Sequence, residues 1–313
     1  MVVIDVLTPI VALIALGFAL RRSGFLPDSF FKQANALVYW FGLPALLFVE
    51  TATATPELST ALRIVVILVL VTGLCIAIGY LAGWRLRLPR ASLASFVQGA
   101  YRGNLTYVGL PVVLYAMQAA SNDSSGYQSL ALLAVTPIIP LYNVLAVLVL
   151  LGADGSGQAN FAQQSGKLLR GVVSNPLIIA CVAGIAYAYS PLPLPPVAQR
   201  TLTALGQMAL PLALLGIGAA LRLRDIRAGG LTATAAALIK VAIAPLAGLA
   251  IASALGLTGP ELQITLLYLA MPTAAASFVM AERMGADGRL ASSIVAISTL
   301  LAIPALTVVL LTT

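Results

Sequence analysis

Apolar residues run along this chain in blocks of about twenty, and each block ends where charged residues or Gly/Pro-rich joints begin. The blocks fall at 3–20, 33–50, 62–84, 91–118, 127–151, 171–189, 197–221, 231–256, 261–283 and 288–311. Roughly 20 apolar residues let a helix cross the hydrocarbon core of a bilayer, so the pattern predicts ten membrane-spanning helices. Two blocks are interrupted. In the fourth, RGNLTYVGLPVV (102–113) places Arg102, Asn104, Gly109 and Pro111 inside an otherwise apolar run, and in the ninth Pro272 stands in a comparable place. Proline removes a backbone donor and crowds the carbonyl four residues back, so in lipid each break needs a local reason.

Composition agrees with the pattern. Hydrophobic residues make up 60% of the chain and charged residues 9%, against about 25% charged in soluble domains. The fold class read from this is an all-α integral membrane protein whose first partner is the lipid bilayer. The first block carries Asp5 rather than a basic lead and is followed by Arg21 and Arg22, which predicts a retained helix and not a cleaved signal. There is no histidine, and Cys75 and Cys181 lie singly inside blocks, where cysteine is ordinarily a small packing residue. No nucleophile, metal-ligand set or carboxylate pair converges, so neither an enzyme nor a bound cofactor or metal is expected.

Charge sets the orientation. The joints after blocks 1, 3, 5, 7 and 9 hold thirteen basic residues, and the alternate joints hold only Arg63 and Arg200. This bias places the former joints in the cytoplasm and both termini outside, in a cytoplasmic inner membrane. The net charge of +7 is thus accounted for by topology, not by a nucleic-acid surface. Two cations remain, Arg102 and Lys240, each about ten residues into a block and hence near mid-membrane at 1.5 Å per residue. Such groups face a bundle interior or a cavity. Either could be a structural pin on backbone carbonyls or a contact for substrate, and the sequence leaves the face of Lys240 open.

Prolines suggest an internal repeat. Pro9 and Pro176 are 167 positions apart, as are Pro44 and Pro211; Pro111 and Pro272 are 161 apart, and Pro140 and Pro304 are 164 apart. Around the third pair LTYVGLP (105–111) matches LLYLAMP (266–272). This predicts two five-helix repeats, 1–151 and 171–313, joined by a cytoplasmic linker at 152–170. Because five is odd, the second copy is inverted, and interrupted helices 4 and 9 are expected to cross near the midplane. Pro111 would free the carbonyl of Tyr107, and Pro272 that of Tyr268. In this register Thr265 partners Asn104 and Gln263 partners Arg102, with Gly109 and Pro111 forming the break. Half-helix N-termini facing a crossing favour an anion.

FGLPALLF (41–48), GNLTYVGLP (103–111), SNPLIIA (174–180) and the segment 278–311 resemble the auxin efflux carrier family over essentially the whole chain. The resemblance implies a dimerising scaffold of spans 1, 2, 6 and 7 and a mobile transport domain of spans 3–5 and 8–10. It also implies that Asn104 holds the carboxylate of an organic anion, with Asn175 nearby. The plant exporters carry a long hydrophilic loop between the halves, whereas this chain has a short Gly/Ser/Gln-rich linker. That points away from auxin itself, within an auxin-like class of acids, and toward small mono- or dicarboxylates such as malonate or malate. Asp5, Glu50, Glu261 and Glu282 all lie near span ends. Uniport or exchange by elevator-type alternating access is therefore expected over sodium- or proton-coupled symport of the bile-acid type. A transport-dead receptor is the remaining alternative.

Overall fold

The computed structural model describes residues 2–53, 58–120, 124–151, 174–190, 192–220 and 230–313. The expected linker at 152–170 lies outside them. Thirteen helices are described: α1 (Val2–Arg22), α2 (Asp28–Thr53), α3 (Leu58–Arg85), α4 (Arg90–Tyr101), α5 (Leu110–Ala120), α6 (Ser124–Val135), α7 (Ile138–Leu151), α8 (Pro176–Ala188), α9 (Pro196–Ala220), α10 (Gly230–Ala254), α11 (Gly259–Ala270), α12 (Ala276–Arg283) and α13 (Gly288–Thr312). Among the described residues there is no strand beyond a single two-residue bridge. The described chain is all-helical.

Six helical segments are long and apolar enough to cross a membrane: α2, α3, Gly126–Leu151, α9, α10 and α13. The fourth and ninth apolar blocks are not continuous helices. Each is cut into two shorter pieces, α4 and α5 in one and α11 and α12 in the other, and the 12 residues of α4 or α11 reach only about 18 Å at 1.5 Å per residue.

Three π-helical turns, Val38–Gly42, Leu105–Gly109 and Ile239–Ile243, share one cause. Two residues after each stands a proline: Pro44, Pro111 and Pro245. In an α-turn the ring would collide with the carbonyl four residues back, which belongs to Trp40, Tyr107 and Val241 respectively. The wider turn takes in one extra residue and moves that carbonyl aside.

The described chain forms two compact units. The first lies within Met1–Arg63, Thr106–Pro137 and Gly166–Leu221 and contains α1, α2, α5, α6, α8 and α9. Small residues let its helices touch. A methyl group added to Gly17 would strike the Leu215 carbonyl, and one added to Gly218 the Ile14 carbonyl, so α1 and α9 pack backbone against backbone. In lipid no hydrophobic effect draws helices together, and such close approach supplies the dispersion contacts that hold them. Arg21 closes this pair, donating to the Ala219 carbonyl at 2.7 Å and pairing with Asp28 at 2.7 Å.

The second unit lies within Ile64–Leu105, Ile138–Ser165 and Arg222–Thr313 and holds most of α3 together with α4, α7 and α10–α13. At its centre α4 is buried from Ala94 to Tyr101 and α11 from Gln263 to Ala270. A helix enclosed on every side is ordinarily apolar all round. Both of these carry polar residues, which marks them for a role beyond packing.

Candidate functional site

Within the second unit α4 stops at Tyr101 and α11 at Ala270, and the backbone leaving each is extended, with Arg102 at φ −77°, ψ 89° and Met271 at φ −60°, ψ 142°. The two stubs lie antiparallel. Gly103 faces Thr273, the Asn104 N–H donates to the Pro272 carbonyl at 2.7 Å, and the Ala274 N–H donates to the Arg102 carbonyl at 2.8 Å. Two broken helices thus satisfy each other's backbone where lipid offers no partner. Thr273 secures the pairing: its N–H donates to Ser298 Oγ at 3.0 Å and its Oγ1 donates to the Gly99 carbonyl at 2.8 Å.

This geometry corrects the sequence reading in one respect. The break in the fourth block is at 102–104, not at Pro111, which is the second residue of α5 beyond a π-turn. Asn104 therefore stands in the break itself, not two turns ahead of it. Gly103 and Thr273 are opposed at a separation of 170 positions. Gln263 and Thr265 lie within buried α11, and Thr265 Oγ1 bonds back to the Glu261 carbonyl at 2.8 Å.

Lys240 points at the crossing. It occupies the π-turn of α10 at 1% exposure, and its Nζ donates to the Leu269 carbonyl at 2.5 Å, one residue beyond Tyr268. A methyl group on Gly103 would come to 3.0 Å from Lys240 Cε, so a side chain there would push the lysine back from the bridge. The ammonium also meets the negative end of the α11 dipole. Arg102, 5% exposed, donates from Nη2 to Asn143 Oδ1 at 2.6 Å and from Nη1 to Met280 Sδ at 3.1 Å. Both cations are held by neutral acceptors, and among the described residues no Asp or Glu is buried. Two buried positive charges beside an opened backbone, with no carboxylate paired to either, make an electrostatic setting for an anion.

A family model described as Membrane transport protein matches residues 2–310. The chain belongs to this family, that of the auxin efflux carriers. It is 26% identical over 311 residues to a protein of Rhizobium meliloti (strain 1021) named "Putative malonate transporter", with 96% of this chain and 92% of that one covered. An "Uncharacterized transporter" of Methanothermobacter thermautotrophicus is 25% identical over 298 residues, covering 95% and 94% of the two chains. A third relative, an uncharacterized transporter of Methanocaldococcus jannaschii, is 22% identical over 303 residues. Like these auxin efflux carrier relatives, the chain is a membrane transporter and not an enzyme.

The other residues singled out in this family member lie in the first unit. Asn175 is the N-cap of α8, its Oδ1 accepting from the Leu177 N–H at 2.9 Å with Pro176 in the first turn, so its carboxamide oxygen is occupied by the helix end. Tyr107 and Gly109 belong to the π-turn ahead of Pro111, with Tyr107 half-buried. Sequence reasoning missed Thr273, Ser298 and Asn143, which support the crossing and Arg102. A signal was present: Asn143 in LYNVLAV and Ser298 in AISTLL are polar residues in the middle of apolar runs.

Proposed function

We propose that this auxin efflux carrier relative is a secondary transporter of a small organic anion, a mono- or dicarboxylate of the malonate type. The observation that carries the reading is the pair of buried cations, Arg102 and Lys240, set against opened backbone beside Asn104 with only neutral partners. A carboxylate arriving there gains charge attraction in a low-dielectric setting and amide or backbone donors for its oxygens. The name of the Rhizobium relative supports a dicarboxylate. In this reading ten spans form two inverted repeats, both termini face outward from the cytoplasmic membrane, spans 1, 2, 6 and 7 build a homodimeric scaffold, and the remaining spans move as an elevator. Asn104 is the first ligand, with Tyr107, Gly109, Pro111, Asn175, Gln263, Thr265, Tyr268 and Pro272 as the wider candidate set.

Uniport or exchange is favoured over sodium or proton coupling because no acidic side chain is buried among the described residues to carry a cation. Reconstitution into liposomes with labelled malonate tests both points. Uptake driven by an imposed inside-positive potential, and indifferent to sodium and to a pH gradient, is the expected result. Binding without flux would establish the receptor alternative, and strict sodium dependence would establish symport.

A further inference from the structure

Below the break, α4 presents a second polar face. Gln98 is fully buried and Ser95 is 1% exposed, and neither side chain has a hydrogen-bond partner among the described residues; Gln98 lacks one at both its nitrogen and its oxygen. Positions 95, 98 and 102 share one side of a helix, so both residues line up with Arg102. Ser277 of α12 is 1% exposed and equally without a partner. The Ala274 N–H meets the Arg102 carbonyl at one end, and the Asp287 N–H meets the Ala91 carbonyl at the other, at 3.2 Å. The segment from 274 to 287 thus starts at the C-terminal end of α4 and returns to its N-terminal end, with Ser277 three residues from the Arg102 contact. Arg102 closes the third side through Asn143 of α7 and Met280 of α12.

Buried amides and hydroxyls normally find partners, and each exception asks what occupies its place. Three exceptions lie on the two segments that meet at Arg102. Charge selects the sign of the occupant, because Arg102 repels a cation and no acidic side chain is buried among the described residues. The two segments are joined backbone to backbone at Ala91 and at Arg102, on either side of the cluster, which favours a small occupant. We propose that Ser95, Gln98, Arg102 and Ser277 form a buried site for a small anion, a halide or a one-carbon carboxylate, separate from the substrate position at Asn104. This rests on the function proposed above: the small anion takes the side of Arg102 that faces α12, and the substrate is drawn by Lys240 and by the same guanidinium from the side of Asn104. Transport then depends on a small anion that is not itself carried.

The test uses purified full-length protein in detergent, with gluconate replaced stepwise by chloride, bromide or formate at constant ionic strength. A saturable rise in the unfolding midpoint is expected for the three small anions. Gln98→Leu should weaken the apparent affinity by about tenfold or more, as for loss of a hydrogen bond to a charged ligand. Crystals of the unaltered protein grown in bromide should show an anomalous peak between Arg102, Gln98 and Ser277, a readout that does not need the variant to fold. Ordered water alone at that position, or a rise that Gln98→Leu leaves unchanged, overturns the site. Malonate is titrated separately: bromide binding without malonate binding would remove the substrate reading and leave this site standing, and the converse would remove only this site.

Discussion

Replacing Lys240 by Met keeps an unbranched side chain, one atom shorter, and removes its charge, and the balance of several energies sets the outcome. The Leu269 carbonyl loses a bond from a charged donor, about 1.5–3 kcal/mol. The end of α11 loses a favourable cation, about 0.3–1 kcal/mol and up to ~2 in buried geometry. Against this, an ammonium held out of water costs several kcal/mol even after relaxation, and a thioether carries no such cost. No charge is stranded, because the acceptor is a neutral carbonyl. The terms offset to within about 2 kcal/mol, so Lys240→Met should fold and purify like the parent. Anion binding should not survive as well. At an effective dielectric near 20, a unit charge about 8 Å from a carboxylate contributes about 2 kcal/mol, which is more than tenfold in affinity. Thermal unfolding in detergent reports the first quantity and malonate uptake into proteoliposomes the second. Wild-type uptake affinity in a well-folded Lys240→Met protein would refute the role given to this cation, and collapse of the fold would show that its work is to hold the break together.

Asn104→Ala should lose about 1–3 kcal/mol of malonate binding in a direct binding assay, and Asn104→Asp should abolish uptake by repulsion; parental uptake by the Asp variant would remove the crossing as the anion site. Ser298→Ala leaves the buried Thr273 N–H without its acceptor and should destabilise the protein by about 1–3 kcal/mol in denaturant unfolding. Gly218→Val forces a side chain into the Ile14 carbonyl and should cost about 1–3 kcal/mol or more, read as a lower unfolding midpoint. A Thr313→Cys substitution should be labelled by an impermeant thiol reagent added outside intact cells, and labelling only after permeabilisation would reverse the assigned topology.

The helical segments were legible because the solvent writes them directly: apolar blocks of bilayer length can hardly be anything else, and their ends track the charges. That the fourth and ninth blocks are interrupted was legible too, from Pro, Gly and Asn in the wrong surroundings. The position of the break was not. α4 ends at Tyr101 because Pro272 and Ala274 offer the next residues backbone partners from 170 positions away, and no local rule contains that partner. The direction of Lys240 was hidden for a related reason. IKVAI (239–243) reads as an ordinary α-helical run, and the π-turn that sets the lysine's facing adds one residue to the register. Pro245, two residues on, was the available sign, as Pro44 and Pro111 are for the other two π-turns.

The crossing is stitched by main-chain groups alone at Arg102, Asn104, Pro272 and Ala274. A change of side chain at 102 or 104 therefore leaves these backbone bonds their donors and acceptors. On the function proposed above, architecture and selectivity are separable, as a socket is from the key cut to fit it. A new substrate preference needs only a few codon changes at the rim, and the fold need not be rebuilt to accept them.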